Sequence, residues 1–229
     1  MATLTAIVLA KNEEKTLSDC LSSLQFCDSV VVVDDSSTDS TVKIAKKFKA
    51  NILTHSLNNN YSAQRNWALG QIKSPWVLFV DSDERVSPEL AVEIRKAITM
   101  VEYKGFLIRR DDLLWGKHLN YGDTGQKRLL RLARRGAGEW RGKVHETWEL
   151  VGRIGQLKSP ILHSPHPTLA EFLQHIDTYS TIRAQEFFVS GRTTNVFEIV
   201  LGPVVRFVQL YILKQGFRDG TVGFIHSMV

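Results

Sequence analysis

Cysteine is scarce: Cys20 and Cys27 are the only two in 229 residues. Two thiols seven residues apart make neither a disulfide framework nor a metal-binding pattern, so a reducing compartment is expected. No glycine-rich phosphate loop occurs. GxGxxG and GxxxxGKS are both missing, which removes the fingerprints of dinucleotide-binding and P-loop proteins. The N-terminus, MATLTAIVLAKNEE, carries no basic leader and no small-residue cleavage site, and a cytosolic start is expected. A zinc site would need more than the HxxH pair His163 and His166, and no further ligands stand at suitable spacing. There are no internal repeats and no low-complexity tract. No recognisable nucleic-acid module accompanies the basic stretch around Trp115, Trp140 and Trp148, so no nucleic-acid partner is expected.

Long apolar runs are also absent. The best candidate, NVFEIVLGPVVRFVQLYILKQGF, is interrupted by Glu198, Arg206 and Gln209, and Pro203 is expected to break it. A spanning helix wants about twenty apolar residues. A helix lying in the membrane interface fits better, with a core helix as the alternative.

What is present describes a soluble α/β protein. Hydrophobic residues make up 43% and charged residues 23%, and the net charge is +5. The positive excess concentrates between Val101 and Pro160, with thirteen Lys and Arg against seven Asp and Glu. Such a stretch suits phosphate-bearing partners or an anionic membrane face.

The first hundred residues alternate strand and helix four times. TLTAIVLA, SVVVVDD, NILTHS and WVLFVD read as strands, and helical spacing follows in KNEEKTLSDCLSSL, STDSTVKIAKKF, NNYSAQRNWALGQI and SPELAVEIRKAIT. Continuous apolar strands are buried on both faces, as in parallel sheets. The expectation is a doubly wound, mostly parallel sheet. GFLIRRDDLLWG, KRLLRLARR, EWRGKVHETWEL and the strand of LKSPILHSPHP are read as further extended segments. TLAEFLQHIDTYSTIRAQEFFVSG reads as an amphipathic helix. The expected boundaries are a domain over residues 1–165, with a nucleotide-binding half (1–100) and an acceptor half (101–165), and C-terminal helices over 166–229.

Ligands of such sheets bind outside the carboxyl ends of the strands. Two acidic clusters fall there: Asp34 and Asp35, and then Asp81, Asp83 and Glu84. Three carboxylates within four residues repel one another unless a positive group sits among them. A pair of Asp residues around one spacer suits a hard divalent cation, Mg²⁺ or Mn²⁺, that also binds substrate phosphates. The alternative is a solvated strand end that caps the next helix. Asp34 and Asp35 could accept hydrogen bonds from a nucleobase or ribose. Alternation puts Arg131 and Arg135 on one side of their strand, where they could meet a diphosphate or an anionic acceptor. Asp111 and Asp112 read as solvated loop acids.

TAIVLAKNEE, VVVVDDSSTDST, AQRNWAL and WVLFVDSDERVSPEL resemble the first half of glycosyltransferase family 2, which has the GT-A fold. GFLIRR, KRLLRLARRG, KVHE and ILH are similar to the WaaE-type lipopolysaccharide core β-glycosyltransferases. The resemblance implies a GT-A-type α/β domain with a C-terminal helical appendage. It also implies that Asp35, beside Asp34, contacts the base, commonly uracil, flanked by Leu9, Ala10, Asn12 and Glu13. Asp81 then lies near the ribose, Ser82 in the nucleotide-sugar site, Asp83 with Asp81 at the metal, and Arg65 and Asn66 near the nucleotide. Glu146 is implied as the base that deprotonates the acceptor hydroxyl, with His145 beside it and Asp123 in reserve. The implied partners are a nucleotide diphosphate sugar donor, most commonly UDP-linked, and a lipid-linked or cell-envelope saccharide acceptor. The implied place is the cytoplasmic face of the membrane, with peripheral contact through the C-terminal helices. A nucleotidyltransferase and a catalytically silent nucleotide-sugar-binding or scaffold protein remain open. One departure is Ser36, where the family often has Gly.

Overall fold

The computed structural model describes residues 2–125, 127–143, 146–165 and 168–228. Two compact units divide the chain: residues 1–109 with 128–162, and residues 110–127 with 163–229. Segment 110–127, expected with the acceptor half, thus belongs with the C-terminal helices.

The first unit is the α/β domain. Its parallel strands are β1 (Leu4–Ala10), β2 (Ser29–Asp34), β3 (Asn51–Thr54) and β4 (Trp76–Asp81), in the order β3-β2-β1-β4. The helices between them are α1 (Leu17–Ser23), α2 (Thr41–Lys47) and α3 (Tyr61–Gln71). After β4 come the short β5 (Glu84–Val86) and α4 (Pro88–Ala97). Ser87 caps α4 by accepting the Leu90 N–H at 3.2 Å, and Pro88 takes the first turn, as the sequence signals predict.

The remaining strands are β6 (Gly105–Leu114), β7 (Lys117–Leu119), β8 (Arg128–Arg134), β9 (Gly138–Arg141), β10 (Thr147–Leu150), β11 (Ile154–Gln156) and β12 (Ile161–His163). β8 joins the sheet antiparallel to β4 and to β6, and β11 runs parallel to β6. β9 and β10 form a separate hairpin.

Strand alternation sorts the core into two layers. Leu4, Ala6, Val8, Trp76, Leu78 and Val80 face α1 and α4. Ile7, Val31, Val33, Val77 and Phe79 face Ala68 and Ile72 at α3 together with Trp140 and Trp148 of the hairpin. Phe79 meets both indoles edge-on, at 5.1 and 5.2 Å between ring centroids. Burying an aromatic ring of this size stabilises by about 2–3 kcal/mol.

The first helix starts at Leu17, where the apolar spacing begins, and not at Lys11, where the segment read as helical begins. The backbone N–H groups that would begin it are taken by the loop after β2. Asn12 donates to Ser37 Oγ at 2.9 Å, Glu13 to Thr41 Oγ1 at 2.7 Å and Glu14 to Asp39 Oδ2 at 3.1 Å. Residues 11–16 therefore form a rim above the sheet.

The second unit holds α5 (Leu169–Val189), α6 (Val196–Phe207) and α7 (Gly220–Met228), with a π-helical turn at Val208–Leu213 and a 3₁₀ turn at Gly216–Asp219. Asp219 accepts the N–H groups of Asn120 and Tyr121 at 3.2 and 2.9 Å. Asp112 is buried against Arg110 and His163, which corrects its reading as a solvated loop acid. α6 runs through Pro203, where a break was expected. Gly202 precedes that proline and has no Cβ to clash with its ring. No residue of α6 is buried. Among the described residues, Val196–Leu213 is the one helix long and apolar enough to cross a membrane.

Candidate active site

Register places the acids. Leu9 pairs with Val33 and Asp81, and Ala10 pairs with Asp34, so both clusters end at the same edge of three adjacent strands. The loop after β2 closes over β1. The Asp35 N–H donates to the Ala10 carbonyl at 2.9 Å, and Asn12 Oδ1 accepts the Thr38 N–H at 2.8 Å. Asp34 accepts the Ser37 N–H through both oxygens, at 3.3 and 3.2 Å. Asp35 accepts from Lys11 Nζ at 2.8 Å and from the Leu57 N–H at 3.0 Å. Burial would raise the Asp35 carboxyl, but these donors outweigh it and hold it below its ordinary range.

Ser36 has φ +57°, a left-handed conformation that explains the glycine often found there. That conformation costs a non-glycine residue about 1–2 kcal/mol, and glycine loses more chain entropy on folding. Ser36→Gly is therefore expected to leave the melting temperature unchanged or raise it. Ser36→Val should lower it, as differential scanning calorimetry can check.

The positive partner of the second cluster is a pair of arginines. Arg65 Nη2 donates to Asp81 Oδ1 at 2.8 Å, and Arg65 Nε donates to Glu146 Oε1 at 2.9 Å. Arg131 donates from Nη1 to Asp81 Oδ1 at 3.3 Å, from Nη2 to Asp81 Oδ2, and from Nη2 to Glu84 Oε1 at 3.0 Å. Glu84 Oε2 accepts the Asp81 N–H at 2.9 Å. The chain Glu146–Arg65–Asp81–Arg131–Glu84 alternates in sign from end to end. Burial opposes the Asp81 charge, yet Arg131 and then Arg65 outweigh it and hold that carboxyl well below its usual range. The Arg131 guanidinium is raised in turn by Asp81 and Glu84 against the cost of its burial.

Two features aim these groups. Asp81 is on the face of β4 shared by Val77 and Phe79, which is the face that carries α3 and Arg65. Arg65 lies 4.7 Å from the Trp140 ring and 5.2 Å from Phe79, a cation–π cradle. Arg131 is the extra residue of a β-bulge. Phe106 pairs with Leu132 and Leu107 with Leu130, so Arg131 has no partner on β6. Bulges re-aim side chains in this way. β8 ends at Arg134, and Arg135 is exposed in the following turn, so the expected pairing of Arg131 with Arg135 on one side does not occur.

The other sequence-derived candidates divide as follows. Ser82 is buried and Asp83 half-buried at the turn after β4. Glu13 is raised above its ordinary range, first by burial and then by the nearby charge of Asp83, against hydrogen bonds from Thr16 and Ser82. Asn66 gives its amide to the backbone of Trp140. Asp123 belongs to the second unit, where it accepts from Arg206 and Lys214, both at 2.8 Å. His145 and His166 lie outside the described residues. Lys11 was not anticipated, and Glu84 was read as part of the acidic cluster but not as a buried ion-pair partner. The crowding of three acids was the available signal for Glu84, and the step from strand to rim was the one for Lys11.

Among the described residues no group of three or more His, Cys, Asp and Glu could hold a metal. A magnesium-like ion needs only one or two protein carboxylates and takes its other ligands from substrate phosphates and water. Asp83, whose charge reaches Glu13, fits that smaller requirement.

An acid-bearing rim at the carboxyl ends of parallel strands, with antiparallel strands completing the sheet, is the arrangement of the GT-A fold. The sequence profile described as Glycosyl transferase family 2 matches residues 5–133. This chain belongs to glycosyltransferase family 2. The lipopolysaccharide core biosynthesis glycosyltransferase LpsC of Rhizobium meliloti is 30% identical over 235 residues, covering 98% of this chain and 86% of that protein. An uncharacterized glycosyltransferase of Rickettsia typhi is 23% identical and covers 100% and 83%. Among solved structures, S. aureus TarS 1–349 superposes with a TM-score of 0.56 at 18% identity, over 99% of this chain and 89% of that one. The same fragment in complex with UDP-GlcNAc gives 0.52 at 21% identity, over 72% and 59%.

Proposed function

We propose that the protein is an inverting glycosyltransferase that moves a hexose from a UDP-linked donor to a hydroxyl of a lipid-linked or cell-envelope saccharide. The observation that carries this reading is the Arg65 bridge, because one guanidinium ties the donor-side acid Asp81 to the candidate base Glu146. The name of LpsC supports a lipopolysaccharide-type acceptor, and the UDP-GlcNAc complex of TarS supports a UDP-sugar donor.

The base sits against Asp35 and the Asn12–Glu13 rim, and the diphosphate lies toward Asp83. The Glu146 carboxylate takes the proton of the acceptor hydroxyl as that oxygen bonds to the anomeric carbon. The bond from that carbon to the diphosphate oxygen breaks, and its electron pair leaves with UDP. Asp83 would hold a Mg²⁺ or Mn²⁺ ion, which when bound neutralises charge on the leaving diphosphate. Arg65 aims Glu146 through the 2.9 Å bond from its Nε.

A thermal-shift titration with UDP, with and without Mn²⁺, tests donor binding, since a ligand of the native state raises its melting temperature. A metal-dependent shift is expected, and Asp83→Ala should remove the metal-dependent part. A full shift in that variant takes Asp83 out of the metal site.

The proposed acceptor implies a membrane surface at the cytoplasmic face. Val196, Phe197, Ile199, Val200, Leu201, Val204 and Val205 of α6 are between 52% and 76% exposed. Glu198, Gly202 and Arg206, four residues apart, form one narrow polar stripe. An apolar arc this wide exceeds the seam of a helix pair and suits contact with the hydrocarbon of a bilayer. Co-flotation with phospholipid vesicles should fall about tenfold or more in Val200→Glu/Val204→Glu. Unchanged flotation, or a wild-type dimer lost in this variant, argues against membrane contact.

A further inference from the structure

Glu146 stands immediately before β10, in a hairpin that pairs as strands only with itself among the described residues. An isolated two-stranded hairpin is marginally stable, so something else must fix where this one lies. Apolar packing of Trp140 and Trp148 on Phe79 holds it down, but such contacts are non-directional and permit sliding. The directional contacts come from α3. Asn66 Nδ2 donates to the Trp140 carbonyl at 2.9 Å, and the Trp140 N–H donates to Asn66 Oδ1 at 2.9 Å. One side-chain amide thus occupies both backbone groups of a β9 residue, as a neighbouring strand would. One turn earlier, the Tyr61 N–H donates to the Lys143 carbonyl at 3.1 Å. The residue next to Asn66 is Arg65, whose Nε holds Glu146 itself at 2.9 Å.

We propose that Asn66 is a positioning residue for the transfer reaction. It sets the register of the hairpin against α3 and through it the place of Glu146, and this role rests on the reading of Glu146 as the base. Consecutive residues of one helix then divide the work: Arg65 orients the carboxylate and Asn66 fixes the strand that delivers it. An error of about 1 Å in such a group costs on the order of a hundredfold in rate.

Release of UDP from a panel of UDP-sugars, measured with Mn²⁺, tests this in wild type, Asn66→Ala, Asn66→Asp, Glu146→Gln and the Asn66→Ala/Glu146→Gln double variant. Asn66→Ala should lower kcat by about 10–100-fold with donor KM within about twofold. Asn66→Asp keeps the acceptor but loses the donor, and should fall between that variant and wild type. In the double variant the rate should equal that of Glu146→Gln alone, because a residue acting only through Glu146 has nothing left to position. Unchanged kcat in Asn66→Ala, or an equal penalty in the Glu146→Gln background, overturns the proposal. If Glu146→Gln itself turns over like wild type, the base assignment fails, and that result is distinct. Hydrogen exchange gives a readout that needs no turnover. The Trp140 amide should exchange faster in Asn66→Ala, and unchanged protection overturns the clamp.

Discussion

Glu146→Gln is expected to lower transfer by about a thousandfold while leaving UDP binding unchanged. Positioned general bases contribute about 10²–10⁴-fold. The substitution keeps the shape of the side chain and an oxygen able to accept from Arg65 Nε, now at 2.9 Å from the carboxylate. The hairpin should therefore stay in place, and the melting temperature should move little. What disappears is the group that accepts the hydroxyl proton. Calorimetric titration with UDP separates this outcome from a folding defect. Wild-type turnover in the variant would remove Glu146 from the chemistry and leave the Arg65 bridge as a structural ion pair.

Arg131→Ala is expected to destabilise the first unit by about 3–5 kcal/mol. Arg131 is buried, and so is Glu84, which is fully inaccessible. Removing the guanidinium leaves Asp81 its bond to Arg65 and takes from the buried Glu84 the 3.0 Å ion pair with Arg131. Breaking a buried pair costs far more than the pair contributes over an apolar replacement, because the remaining charge stays desolvated. Arg128 is on the same strand but exposed, with a 3.5 Å bond to the Leu157 carbonyl. Arg128→Ala should stay within about 0.5 kcal/mol. Urea denaturation followed by Trp fluorescence reads both variants, since Trp140 and Trp148 report on this layer. Equal stability of the two would show that the alternating chain of charges is not what holds the rim.

Much of this arrangement is legible in the sequence. Continuous apolar runs ending in acids mark parallel strands, and period-two counting from Val77 through Phe79 puts Asp81 on the face of α3. Ser87 and Pro88 mark the start of α4. The bulge at Arg131 is not legible, because it depends on how β6 and β8 register and neither strand shows it alone. The late start of α1 is hidden for a related reason. The Lys11–Glu14 segment is all polar and marks neither helix nor loop, and side chains twenty-five or more residues away take its N–H groups. Crowding of Asp81, Asp83 and Glu84 did signal a positive partner. That signal could not choose between a metal and the distant Arg65 and Arg131, which reach the cluster only through folding.

A crystal structure of the protein with UDP and Mn²⁺ tests the account most directly. The base is expected beside Asp35, the diphosphate and a manganese anomalous peak at Asp83, and Glu146 facing the space beyond the diphosphate. UDP bound away from the ends of β1, β2 and β4, or a manganese peak with no ligand from Asp83, would contradict it.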